Sequence, residues 1–130
     1  MKGKRIDLYY QSKLPAFKEL SIALANYKNY CLGKTAFYEG NEFSPFMEAQ
    51  GGTLEHRGLI AQTASINSMY FSLKSRLAVE ELLNQMSGLC NAELYIAQGQ
   101  DVGNLKDDYF EMSQAAERCI DGLYKELKLG

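Results

Sequence analysis

Apolar positions recur at helical spacing in three separate stretches of the chain. In the first, Phe17, Leu20, Leu24, Tyr27, Cys31 and Tyr38 share one row, with Thr35 in it. In the last, Leu105, Tyr109, Met112, Ala116, Cys119, Leu123 and Leu127 do the same, while Glu111, Gln114, Arg118, Asp121 and Lys125 take the opposite side. Between them lies the proline-free stretch 53–86, without formal charge over 58–73. Stepped about 100° per residue round a helix axis, Leu59, Thr63, Ile66, Tyr70, Leu73 and Leu77 form one narrow stripe. Ala61, Ala64, Ser65, Ser68, Ser72 and Ser75 occupy the back, where a one-sided surface helix would carry charge. Beyond Leu77 the sides exchange: Glu80 and Glu81 continue the stripe, and Val79, Leu82, Leu83 and Met86 line the former back. Such a helix is expected to need cover on both flanks.

Capping residues set the expected boundaries. Ser12 is a candidate cap with Pro15 in the first turn, which leaves 1–11 as an arm and predicts a helix over 13–38, with Gly33 as its candidate early stop. Ser44-Pro45 predicts a short helix near 45–50, ended by Gly51. Thr53 is expected to cap the central helix, over 53–86, and Ser87-Gly88 to end it. Asn91 then opens a short piece over 91–98 closed by Gly99, and Asn104, with Asp107 three residues on, opens the last helix, 104–128. The fold expected is all-α: one domain, 1–130, an antiparallel bundle of three long helices and two short ones. The central helix would overhang its partners or kink near Ala78.

Length and composition agree with one globular domain able to bury a sizeable core. A net charge of -2 gives no electrostatic reason to expect nucleic acid or an anionic membrane. No run approaches the ~20 apolar residues that span a bilayer. Three widely spaced cysteines, Cys31, Cys90 and Cys119, argue for a reducing compartment and against a disulfide framework, and the reading is cytoplasmic. Nine tyrosines without a tryptophan suit surfaces buried on one side and wet on the other.

Candidate chemistry is sparse. His56 is the only histidine, so a di-iron bundle with two Glu-x-x-His pairs is ruled out. Cys31, His56, Cys90 and Cys119 are zinc-ligand types but lack the close pairing of structural sites, and His56 is expected to face solvent. Cys90 is the most accessible thiol for a Cys–His pair, with little nearby to lower its pKa. Glu39, Glu42 and Glu48 lie in a linker, and Asp107, Asp108 and Glu111 suit the start of a helix. No phosphate-binding loop is present. No catalytic, metal or cofactor residue is therefore assigned.

The function expected is that of a non-enzymatic protein-binding module of adaptor, inhibitor, immunity or chaperone type, with another protein as partner and self-association as a homodimer. Its contact surface is expected to combine Ser68, Ser72, Val79, Leu82, Leu83 and Met86 with Tyr38, Phe43 and Phe46. The alternative is a nucleic-acid-associated regulator using the basic arm (Lys2, Lys4, Arg5, Tyr9, Tyr10, Lys13) and a helical pair over 79–98. That pair offers no lysine or arginine on its second helix, where contact with DNA needs cations.

Overall fold

The computed structural model describes residues 2–40 and 51–129, with side chains described over 11–40 and 51–128. The described residues form four helices: α1 (Lys2–Tyr38), α2 (Thr53–Ile66), α3 (Leu73–Ala97) and α4 (Lys106–Leu129), with a 3-10 turn at Ser68–Tyr70. The short helix expected near 45–50 lies outside them, as do Phe43 and Phe46.

Cross-helix contacts fix the directions. On α1 and α4, Tyr38 stacks on Tyr109, and further along Lys28 pairs with Glu117. On α1 and α2, Tyr30 meets His56 while Glu19 accepts from Asn67. On α2 and α3, Thr53 bonds Glu93 and Arg57 bonds the Leu83 carbonyl. On α3 and α4, Tyr109 bonds Glu93 and Ser75 bonds Glu126. In each pair one index rises as the other falls, so every helix runs antiparallel to its chain neighbour and α4 closes back on α1. The chain is an all-α helical bundle.

The rows expected for α1 and α4 are the rows that pack. Phe17, Leu20, Leu24, Tyr27 and Cys31 are buried on α1, and Leu105, Tyr109, Met112, Ala116 and Leu123 on α4. The arm does not form as such. Helix α1 starts at Lys2, so Ser12 does not cap it and Pro15 lies in its interior. Proline lacks the N–H that the Gln11 carbonyl would otherwise receive, but both residues are exposed, where water can take that bond.

The middle of the chain departs from expectation in two places. The helix expected over 53–86 breaks at 67–72. Asn67 closes α2, its backbone N–H and its side-chain amide both reaching the Thr63 carbonyl. Ser72 opens α3 by accepting from the Ser75 N–H at 3.2 Å. Between them Phe71 is extended and buried, edge-on to Phe17 at 4.9 Å. The break resets the helical phase, so the stripe drawn through a single rod is not the core: Leu59, Ile66, Leu73 and Leu77 are exposed, whereas Ile60, Phe71, Val79, Leu82, Met86 and Leu89 are buried. There is no break at Ala78.

Second, Ser87-Gly88 does not stop α3, which continues to Ala97. The stop comes at Gly99, with φ +83. There the Gly99 N–H reaches Ile96 and the Gln100 N–H reaches Tyr95, the paired bonds that close a helix through a left-handed glycine. The helical pair proposed over 79–98 is thus part of one continuous helix, without the turn that a helix-turn-helix needs. At α4, Asn104 accepts from the Lys106 N–H at 2.8 Å, but the helix starts at Lys106 rather than 104. Its first helical bond, from the Tyr109 N–H to the Leu105 carbonyl, puts Leu105 and not Asn104 in the cap position.

Candidate functional site

One carboxylate ties all four helices together. Glu93, half-buried near the end of α3, accepts through Oε2 from the hydroxyls of Tyr30 (3.0 Å, α1), Tyr109 (2.6 Å, α4) and Thr53 (2.5 Å, α2). Its Oε1 accepts from the Thr53 backbone N–H at 2.8 Å. Thr53 is therefore not a cap, as expected, but the first residue of α2, whose preceding Gly52 offers no side chain. Glu93 supplies the missing acceptor from another helix, and a negative charge at a helix N-terminus is electrostatically favoured.

Aromatic rings enclose this cluster. The His56 ring lies 5.7 Å from Tyr27 and 5.1 Å from Tyr30, so His56 is not the solvent-facing residue expected but is half-buried against both. Tyr38 stacks on Tyr109 at 6.1 Å. Burial raises the pKa of Tyr30 and Tyr109 above the ordinary phenol value, and the Glu93 carboxylate raises both further. Both hydroxyls therefore stay protonated and remain donors. Burial also raises Tyr27, and its hydroxyl, beside Cys31 and Thr53, has no hydrogen-bond partner among the described residues. Four donors of this chain are thus directed at Glu93: the hydroxyls of Tyr30, Tyr109 and Thr53 and the Thr53 backbone N–H.

The opposite end repeats the device. Glu126 of α4 accepts from the Ser72 N–H at 2.5 Å and from the Ser75 hydroxyl, at the start of α3. Two helices are thus closed at their N-termini by carboxylates from a neighbouring helix.

The residues expected on a contact surface fall into separate groups. Val79, Leu82 and Met86 are buried in this chain's own core. The phase shift at 67–72 turned them inward. Leu83 is half-buried against that core, with its carbonyl held by Arg57 Nε at 2.9 Å. Tyr38 belongs to the Glu93 end. Ser68 and Ser72 lie at the opposite end, in the 3-10 turn and at the start of α3, and Phe43 and Phe46 lie outside the described residues. What that turn does expose is apolar: Ile66, Met69 and Leu73 are 70%, 76% and 62% accessible.

All three cysteines are free. Burial pushes the Cys31 thiol up to about 12 and also raises Cys90 and Cys119, so none is a ready thiolate. Among the described residues no group of histidine, cysteine or carboxylate side chains is placed to hold a metal ion, and no helix is long and apolar enough to cross a membrane.

Fold and site together define an all-helical bundle pinned at each end by a cross-helix carboxylate. No protein-family model, curated protein or solved structure matches the chain. Glu93 was missed by the sequence reading, although Val79, Leu82, Met86, Leu89 and Glu93 form one unbroken helical row. Taking Ser87-Gly88 as a stop separated the last member from the rest.

Proposed function

We propose that this protein is a non-enzymatic binding module that joins another protein through the end of the bundle where α2 turns into α3, with a second copy of the chain as the first partner to test. The observation that carries the reading is the exposure of Ile66, Met69 and Leu73 within one turn of the chain. Fully burying a side chain of this size contributes about 1.5–3 kcal/mol, and neighbouring exposed apolar side chains such as these suit an interaction site. A net charge of -2 leaves little repulsion between copies. The raised thiols and the saturated Glu93 carboxylate support a role without catalysis. Three free thiols suit a reducing compartment such as the cytoplasm.

Light scattering on wild type and on the Ile66→Asp/Met69→Asp variant tests this. The wild type is expected to be dimeric and the variant monomeric, with unchanged helical circular dichroism. A monomeric wild type at tens of micromolar, or a variant that still dimerises, overturns pairing through this end.

A further inference from the structure

A cleft of about 670 Å³ opens between the first turns of α3 and the last turns of α4, with Lys13 of α1 on its wall. Its size falls within the roughly 300–1,000 Å³ of small-molecule sites. Ala78, Val79, Cys119 and Leu123 give it an apolar lining. Gly122 leaves it open, because a Cβ built there meets nothing within 4 Å.

Its lining is mostly basic. Lys13, Lys74, Arg118 and Lys125 line it, and no ion pair among the described residues engages Lys74, Arg118 or Lys125. The only acidic residue in the lining is Glu126, which accepts from Ser72 and Ser75, so four basic residues stand against one acidic one. Basic side chains thus surround an apolar hollow in a chain that is acidic overall.

We propose that this cleft binds a small amphipathic anion, with its apolar body against Val79 and Leu123 and its carboxylate or phosphate among Lys74, Arg118 and Lys125. Neither half suffices alone: the cations select for charge, and the lining removes the tail from water. Cys119, half-buried in the same wall with its thiol 3.7 Å from the Ala78 carbonyl, is covered when the cleft is filled.

Isothermal titration of the whole chain with decanoate, decyl phosphate, decanol and acetate tests the site. Decanoate and decyl phosphate are expected to bind saturably at one site, with decanol and acetate weaker by about tenfold or more. Lys74→Glu/Lys125→Glu is expected to weaken decanoate by about tenfold or more at unchanged urea midpoint, and Gly122→Leu to abolish its binding. Decanoate is also expected to slow iodoacetamide labelling of Cys119 but not of Cys90, which lies at the far end of the bundle. Absence of saturable decanoate binding, equal binding by either variant, or equal affinity for decanol overturns the proposal. Because the titration is read on this cleft and not on oligomeric state, its failure is distinct from that of dimerisation through Ile66 and Met69.

Discussion

Replacing Glu93 with alanine strips the acceptor from two phenols, one hydroxyl and one backbone N–H at once. Hydrogen bonds to a charged group are the stronger kind, and donors left unmade at a half-buried site lose their partner outright. Urea denaturation of Glu93→Ala is therefore expected to show a loss of about 2–4 kcal/mol. Tyr27 gives the opposite sign. Its buried hydroxyl has no partner among the described residues, so Tyr27→Phe removes a desolvated polar group and keeps the ring. The same measurement is expected to find it neutral or more stable by about 1 kcal/mol. A loss of more than that would mean the hydroxyl is paired after all.

For the helices, two glycines in one element carry contrasting expectations. Gly88 lies inside α3 and a Cβ there meets nothing within 4 Å, so Gly88→Ala is expected to stabilise by about 0.5–1 kcal/mol. Gly99 closes the same helix at φ +83, where alanine is strained, and Gly99→Ala is expected to destabilise by about 1–2 kcal/mol. Thermal melts of the pair distinguish a helix that passes through Gly88 from one that ends there. The sequence was most legible where periodicity ran unbroken: the rows from Phe17 to Cys31 and from Leu105 to Leu123 pack as read. It failed at 67–72 because that break rests on Asn67 and Ser72, without the glycine or proline that marks a stop, and on a tertiary contact, Phe71 against Phe17, that no local pattern announces. It failed at Gly88 for the converse reason, since packing of the Val79–Leu89 row outweighs the preference of one glycine. The Glu93 cluster needed four helices brought together before its donors could be named.

Across the whole molecule, the raised tyrosines predict how stability depends on alkali. In the unfolded chain a phenol ionises near its ordinary pKa of about 10, whereas in the fold Tyr27, Tyr30 and Tyr109 hold their protons above that. Their contribution is fully present below pH about 10 and is lost as the pH climbs towards the raised values, because the unfolded state then binds fewer protons. Urea midpoints between pH 8 and 11 are expected to fall above pH about 10, less steeply in Tyr109→Phe than in wild type. Tyrosinate absorbance should show these phenols silent until the fold opens.

Glu93 lies forty positions after the helix start it closes, and Glu126 more than fifty after its own. In a chain being synthesised, these contacts can form only after the end of α3, and then the end of α4, have emerged.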